Sequence, residues 1–359
     1  MSPKKRLNIL LADDGSQHAQ AAVELLQELP LPPKSSILVL RAFHSDQIPL
    51  ISDFEKSLER TKGQLAGEGF RVETEMKLGS AAQMILEHAE EKMPDLIVLG
   101  AKGLRSTVSI LLGGVAQQVM EYATCPVMIV RAPYRGFKKI LLATDGSPSS
   151  LSAVRYLGKF PLPEKVEVHV TYVLPPDQVP VLMEPQYGTW QTIYAVYPTR
   201  EEEEIVRQRE KKLGETLLKR TCSLLQRHGI DPICKLLRGD AATEIMDYVR
   251  AEQIDLIVAG SRGFGNLKSL WMGSVSRKLV HYSDCSVLIV KGPRKESPYG
   301  SRNWKSHALL QSPQRGGVET HRQFETGRQD PHPRSLHRPD RKDRFDGGEP
   351  SQCGVGETR

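Results

Sequence analysis

The sequence predicts an α/β protein with two tandem open five-stranded parallel sheets, helices on both faces of each, and a disordered C-terminal tail. The first observation is an internal repeat: NILLADDGS at 8–16 returns as KILLATDGS at 139–147, and TCPVMIVR at 124–131 returns as DCSVLIVK at 284–291. A repeat of this length is a whole domain rather than a solenoid unit. The second is that each copy alternates short β-branched runs with longer helical patterns, which is typical of a parallel sheet built from β-α-β units.

The elements follow in chain order from these alternating runs. In the first copy we predict helices near 17–29, 51–68, 80–92 and 113–122, between strands near 7–12, 36–43, 71–77, 95–100 and 126–131. The second copy predicts strands near 138–143, 166–173, 232–238, 255–260 and 286–291. The runs at 96–99 and 256–259 are continuously apolar, as expected of strands that are covered on both faces.

Composition sets the domain limits. The segment 132–136 carries Pro133 and Gly136 and predicts a linker, so we expect domains at 1–132 and 136–292 and a tail at 293–359. Of the 49 Lys+Arg and 43 Asp+Glu that give a net charge of +6, 13 and 9 lie from Gly292 onward, which leaves 36 and 34 for the two domains. The tail has no hydrophobic periodicity, so we expect it to be disordered. The domains show no basic stripe, and we expect no nucleic-acid partner.

Cysteine usage and hydropathy narrow the protein class. Five cysteines without a C-x-x-C pair argue against a disulfide framework or a zinc site. Cys125 and Cys285 occupy equivalent positions, either as small buried residues or as a redox switch. No apolar run approaches the roughly 18 to 20 residues of a membrane span. The basic start of the chain leads into Asp13 and Asp14 rather than a signal peptide, so we expect a cytoplasmic protein without a membrane partner.

The copies differ most after the second strand, where the second copy is about 29 residues longer. This insertion could be a lid, a subunit contact or a cover over apolar surface, and it carries the aromatic residues Tyr187, Trp190, Tyr194 and Tyr197. The four glutamates at 201–204 then open a long helix, where acidic residues favour the helix dipole. We expect them on a solvated face.

A glycine-spaced segment carries the chemistry of the second copy. Gly260 and Gly263 follow the fourth strand, and nine residues later Gly273 and Ser274 begin a helix. Glycines allow close approach of the backbone to a ligand, and the N–H groups at a helix N-terminus bind anions. Ligands of open α/β sheets bind at the carboxyl ends of the strands, where Asp145 also lies. That carboxylate could bind ribose hydroxyls, hold Mg²⁺, or only cap a helix or turn.

The spacing Gly-x2-Gly-x9-Gly-Ser, together with the strand and turn ILLATDGS, resembles the universal stress protein family over about residues 5–132 and 136–292. The resemblance implies sheets of the adenine nucleotide alpha-hydrolase-like type and ATP as ligand, with Mg²⁺ at Asp145. It implies a stress-response protein that acts as a nucleotide-dependent sensor or signalling module through an unidentified protein partner. The implied nucleotide-binding residues of the second copy are Asp145, Val173, Ala259, Gly260, Arg262, Gly263, Met272, Gly273, Ser274 and Val275.

Tandem members of this family pack their domains as an intramolecular pseudo-dimer, often through the last strands. The resemblance therefore implies that the segments 126–131 and 286–291 form the domain interface. A homodimer of the whole chain is a further form that the resemblance allows.

The first copy departs from the family pattern. It retains Asp14, Gly100, Gly103 and Gly113, but Gly114 replaces Ser274 and Asp13 replaces Thr144. A second carboxylate near phosphates is repulsive unless a metal or a lysine such as Lys102 compensates. Losing one hydrogen bond to a charged group costs about 1.5–3 kcal/mol. Our hypothesis is that the second domain binds ATP and the first binds it weakly or not at all.

Other classes fit less well. A phosphotransfer receiver needs an acceptor aspartate at the end of its third strand, where this chain has KLG at 77–79. Neither a Walker P-loop nor a Rossmann glycine fingerprint is present. The sequence shows no Ser-His-Asp arrangement, Cys-His pair or metal-ligand cluster, so we assign no catalytic residue and expect at most slow ATP hydrolysis. The alternative is a structural or signalling module that binds no nucleotide.

Overall fold

One ten-stranded sheet organises the protein. The computed structural model describes residues 6–66, 70–104, 112–177, 199–263 and 272–292, all within one compact unit that spans Met1–Trp304. Along the sheet the strands follow the order β3-β2-β1-β4-β5-β10-β9-β6-β7-β8. All neighbours within each repeat are parallel, and the two halves join antiparallel at β5 and β10.

The first repeat contains five strands with helices between them. In order they are β1 (Asn8–Ala12), α1 (Gln17–Glu28), β2 (Ser36–Phe43), a 3-10 helix (Ser45–Leu50), α2 (Ile51–Ala66), β3 (Arg71–Leu78), α3 (Ala81–Lys92), β4 (Leu96–Gly100), α4 (Gly114–Tyr122) and β5 (Val127–Val130).

The second repeat has the same plan. Its elements are β6 (Lys139–Ala143), α5 (Pro148–Leu157), β7 (Glu167–Leu174), α6 (Arg200–Gln226), β8 (Ile233–Arg238), α7 (Ala241–Glu252), β9 (Leu256–Gly260), α8 (Ser274–Tyr282) and β10 (Ser286–Val290). The predicted fold class is confirmed. The tail at 293–359 and the aromatic residues of the insertion, within 178–198, lie outside the described residues.

The core lies in two layers, one on each face of the sheet. One apolar cluster packs α1, α2, α5 and α6 on the first face, and the other packs α3, α4, α7 and α8 on the second. The central strands β4 and β9 are buried almost throughout, as their continuously apolar sequences predict. The edge strands β3 and β8 are half-exposed.

The repeats meet through their last strands, as predicted, with Met128 of β5 opposite Leu288 of β10. Two cations cross this junction reciprocally. Arg131, just after β5, donates from Nη2 to the carbonyl oxygen of Val280 in α8 at 2.8 Å. Lys291, just after β10, donates from Nζ to the carbonyl oxygen of Met120 in α4. Each repeat thus places a cation on the C-terminal carbonyls of the other repeat's helix, where the helix dipole favours it.

The long helix α6 distinguishes the second repeat. It has 27 residues against 16 in α2, and it begins with a capping box formed by Thr199 and Glu202. Residues 199–209 are all exposed, so the glutamates at 201–204 lie on a solvated face as predicted. Only from Gly214 onward does the helix pack closely on the sheet.

One disulfide corrects the expectation from cysteine composition. Cys222 of α6 is bonded to Cys234 of β8, a pair that α6–β8 packing brings together and that no local sequence pattern marks. Cys125 and Cys285 are free, and burial raises the pKa of their thiols to about 11 and about 12. Within the described ranges, no helix is both long and apolar enough to cross a membrane.

Candidate functional site

The candidate site begins at the turn after β6. The Oδ1 atom of Asp145 accepts the backbone N–H of Ser147 at 2.9 Å, while Gly146 takes φ +80°, a conformation that favours glycine. The side chain of Ser147 accepts the N–H of Ser150 and so caps α5. Asp145 is therefore a turn residue but not the helix cap, and the turn fixes the direction of its carboxylate.

A hydroxyl joins this turn to the glycine segment after β9. Ser147 donates from Oγ to the backbone oxygen of Arg262 at 3.1 Å. A Cβ added at Gly263 would lie 2.6 Å from Oδ2 of Asp145, so only glycine lets the backbone approach the carboxylate this closely. A Cβ at Gly260 would lie 2.6 Å from the backbone of Ser149 and Ser150, so Gly260 serves the close packing of α5 on β9.

The N-terminus of α8 lies beside the same segment. The N–H of Gly273 donates to the backbone oxygen of Ser261 at 2.8 Å, and a Cβ at Gly273 would lie 3.6 Å from the nitrogen of Gly263. Gly273 is the N-cap residue of α8 and has no side chain to satisfy the first-turn N–H groups. Ser274, the first helical residue, is exposed. Gly263 therefore lies between the carboxylate of Asp145 and the backbone N–H groups at the start of α8.

The remaining predicted residues of the second repeat surround this centre. Ala259 is buried at the end of β9, and Val173 and Val275 pack against the core cluster on the face of α7 and α8. Met272 is buried and, with its counterpart Leu112, lines a small pocket between α4 and α8. This pocket lies at the junction of the repeats, so contact of Met272 with a nucleotide stays a prediction.

The first repeat reproduces the same backbone geometry. Oδ1 of Asp14 accepts the N–H of Ser16 at 3.0 Å, and Ser16 donates from Oγ to the backbone oxygen of Lys102 at 3.1 Å. A Cβ at Gly103 would lie 2.5 Å from Oδ2 of Asp14. Gly100 packs on the start of α1, and the N-cap Gly113 precedes Gly114 at the start of α4. The two sites therefore share their carboxylate and both glycine contacts.

The structure corrects the role expected for Asp13. Its carboxylate forms a salt bridge with Arg41 at 3.1 Å, both side chains being 4% exposed, and it accepts a hydrogen bond from Thr61 of α2 at 3.0 Å. The cation that compensates its charge is thus Arg41 of β2 rather than Lys102. The carboxylate is buried beneath the turn by these two contacts. Arg41 also lies over the ring of Phe54, 5.4 Å from its centroid.

Sequence reasoning missed two groups of residues. Ser16 and Ser147 each form a hydrogen bond from the aspartate turn to the segment after the fourth strand. The repetition of this serine in both DGS turns could have indicated its role. Arg41 was also missed, although a charged residue inside an otherwise apolar strand indicates a buried partner. The strand pairing places Arg41 where the second repeat has Tyr172.

The prediction of a Mg²⁺ site concerns the carboxylate of Asp145. The described residues contain no group of three or more His, Cys, Asp or Glu side chains that could hold a metal ion. A Mg²⁺ ion that binds with a nucleotide takes most of its ligands from phosphates and water and needs one or two carboxylates. The single carboxylate at Gly263 fits that requirement.

Comparison with known proteins agrees with this fold and identifies the family. The model of the Universal stress protein family matches residues 5–131 and 136–291, and the chain belongs to this family. It is 30% identical over 168 residues to Universal stress protein MJ0531 of Methanocaldococcus jannaschii, covering 47% of this chain and 90% of that protein. It is 29% identical over 155 residues to Universal stress protein YxiE of Bacillus subtilis, covering 43% and 99%.

A solved structure supports the fold. A universal stress protein from Archaeoglobus fulgidus aligns with 81% of this chain and 98% of its own length, with a TM-score of 0.54 and 19% identity. A family protein from Arabidopsis thaliana with AMP bound aligns with 46% of this chain and 97% of its own length, at a TM-score of 0.31 and 19% identity. At this similarity its ligand does not transfer to the present chain.

Proposed function

We propose that the second repeat binds ATP and that the chain is a stress-response protein whose protein contacts depend on that nucleotide. One observation carries the proposal. The carboxylate of Asp145 is held by a turn against the backbone of Gly263, and Gly263 is packed on the N-terminus of α8 at Gly273. Among the described residues, Gly263 and Gly273 leave room where phosphates would lie, and the first backbone N–H groups of α8 could serve as donors to them.

Most of the predicted residues have a part in this proposal. The phosphates would accept hydrogen bonds from the start of α8, with the Ser274 hydroxyl as an additional donor. Asp145 would bind the ribose hydroxyls or a Mg²⁺ ion carried by the phosphates, which would neutralise their charge. Val173 and Ala259 would contact the base. Gly260 would lie beside the phosphates, and Arg262 would line the pocket.

A sensor role follows from where the nucleotide would lie. It would bridge the Asp145 turn and the start of α8, and a ligand that binds one conformation better shifts the population towards it. Because α8 meets the first repeat through Val280 and Arg131, this shift would reach the pseudo-dimer junction. Slow ATP hydrolysis would add a timer, and no group in the described part of the site is positioned to activate water. We propose the cytoplasm as the location.

The first experiment identifies and counts the nucleotide. Purified protein is denatured, released nucleotides are identified by mass spectrometry, and binding of added Mg-ATP is then titrated. About one ATP per chain is expected. Gly263→Ala should abolish it because the new Cβ collides with Asp145, whereas the matched change Gly103→Ala should leave it intact.

Two outcomes would contradict the proposal. Two equivalent ATP sites per chain would show that the loss of the serine at Gly114 does not impair the first repeat. No released nucleotide and no binding of added Mg-ATP would favour the module that binds no nucleotide.

A further inference from the structure

We propose that Cys222 and Cys234 form a redox-active dithiol site that exchanges reversibly with small-molecule disulfides and clamps α6 to the edge strand β8. The two sulfurs are bonded to each other across the packing of α6 on β8. This site is separate from the proposed nucleotide site at Asp145, Gly263 and Gly273, and the proposal does not depend on nucleotide binding.

The two cysteines differ in access to solvent. Cys234 is exposed on the edge strand, whereas Cys222 is 8% exposed and belongs to the apolar core cluster under α6. A disulfide reagent therefore reaches Cys234 first. Cys222 then lies behind it as the resolving thiol, as in other paired redox cysteines.

The exchange balances with one oxidised reagent. The Cys234 thiolate attacks one sulfur of a small disulfide such as oxidised glutathione, forming a mixed disulfide and releasing one thiolate. The Cys222 thiolate then attacks the Sγ atom of Cys234 and displaces the second small thiolate. The two thiol protons pass to these two leaving groups, so the protein loses two electrons and the reagent gains them. Reduced glutathione drives the reverse steps.

The other described cysteines do not compete for this chemistry. Burial raises the pKa of Cys125 to about 11 and of Cys285 to about 12. With these pKa values both thiols stay protonated near neutral pH. Because the thiolate is the nucleophile, neither thiol reacts readily with a disulfide. They also lie in the two different repeats, one before each last strand, so they cannot substitute for a pair within α6 and β8.

The bridge acts on one edge of the sheet. Among the described strands, β8 lies at the end of the sheet beside β7, and its residues 233–235 are exposed. At its other end Arg238 forms a salt bridge with Glu210 of α6 at 2.9 Å. The corresponding cysteine positions of the first repeat are Lys62 and Thr74, so this clamp is a property of the second repeat.

The test uses the full chain equilibrated in reduced or oxidised glutathione, quenched with acid, alkylated, digested and mapped by mass spectrometry. In oxidised buffer we expect linked peptides that contain Cys222 and Cys234, and in reduced buffer we expect both cysteines alkylated. Transfer from one buffer to the other should interconvert the two forms. Amide hydrogen exchange in β8 should be about tenfold or more slower in the oxidised form, because the clamp opposes local opening.

Two variants test the order of attack. Cys222→Ala should accumulate the glutathione adduct at Cys234, whereas Cys234→Ser should leave Cys222 unmodified. The wild-type mapping does not depend on either variant folding. Alkylation of both cysteines in oxidised buffer, or exchange in β8 that is equal in the two forms, would overturn the proposal.

Discussion

The two repeats carry the same candidate site on different supports. In each, an aspartate follows the first strand and accepts the N–H of the serine that caps the next helix, and its carboxylate lies close to a glycine after the fourth strand. Beneath the turn, the first repeat buries the Asp13–Arg41 salt bridge, where the second has Thr144 and Tyr172. Outside it, the second repeat extends α6 and bonds it to β8.

This comparison separates the backbone geometry of the candidate site from its side-chain chemistry. The contact between the aspartate and the glycine forms in both repeats although neighbouring residues differ. The backbone geometry alone therefore does not distinguish a repeat that binds nucleotide from one that does not. Among the described residues nearest the proposed phosphate site, the repeats differ at Ser274 against Gly114 and at Arg262 against Lys102. The acid that was expected to repel phosphates in the first repeat is neutralised by Arg41.

The largest expected effect comes from breaking the salt bridge that is particular to the first repeat. Arg41→Met leaves the Asp13 carboxylate buried without its cation, and removing one partner of a buried pair costs about 3–5 kcal/mol. Denaturant unfolding measures the loss. The double variant Asp13→Thr/Arg41→Tyr, which copies the second repeat, should recover most of it. A loss below about 1 kcal/mol for Arg41→Met would contradict the structural importance of this pair.

Reduction of the second repeat's disulfide should come next. A bridge that closes a short loop stabilises the folded state by about 2–4 kcal/mol, so the free energy of unfolding should fall by that amount in a reducing buffer. The variant Cys234→Ser should have the same low stability in both buffers. An equal loss on reduction in that variant would show that the effect arises elsewhere.

The junction between the repeats predicts a pH dependence. Burial lowers the pKa of Lys291 from 10.5 to about 8. Below about pH 8 the lysine is charged in both states, and the folded state carries the full cost of burying it. Between about pH 8 and 10.5 the unfolded state keeps the proton that the folded state releases, so stability rises with pH across this window.

The measurement compares wild type with Lys291→Met by denaturant unfolding at pH 8 and at pH 10. Relative to the variant, wild type should gain about 2 kcal/mol over this window. Arg131→Met is the matched control, because the arginine that it removes stays charged over this window. Relative to Arg131→Met, wild type should therefore show no such gain. Parallel pH profiles of wild type and Lys291→Met would contradict the lowered pKa.

The smallest effect sharpens the comparison at the phosphates. If the serine hydroxyl separates the two repeats, Gly114→Ser should raise the affinity of the first repeat for Mg-ATP about tenfold or more, since one hydrogen bond to a charged group contributes about 1.5–3 kcal/mol. Ser274→Ala should lower the affinity of the second repeat by a similar factor. Calorimetric titration of both variants checks the pair. Unchanged stoichiometry and affinity in both variants would show that the serine hydroxyl does not distinguish the two repeats.

Most of the fold was predictable because parallel strands and amphipathic helices leave periodic patterns. The predicted strands at 36–43 and 255–260 correspond to β2 (Ser36–Phe43) and β9 (Leu256–Gly260). The glycines of the site were predictable because close backbone approach excludes a Cβ, as at Gly103 and Gly263. Roles that depend on distant partners were not predictable in this way. Arg41 pairs with Asp13 across two strands, and Lys102 was the wrong choice because sequence proximity to the glycines does not fix side-chain direction.

The sequence by itself determined the two repeats, their parallel sheets, the glycine-spaced segments and the family. Each of these is written in local periodicity or in a motif, where neighbouring residues specify one another. Only the tertiary structure decided that Asp13 is neutralised by Arg41, that Arg131 and Lys291 exchange partners between the repeats, and that Cys222 meets Cys234. These contacts join residues that are distant along the chain, and the packing of helices on the shared sheet selects them.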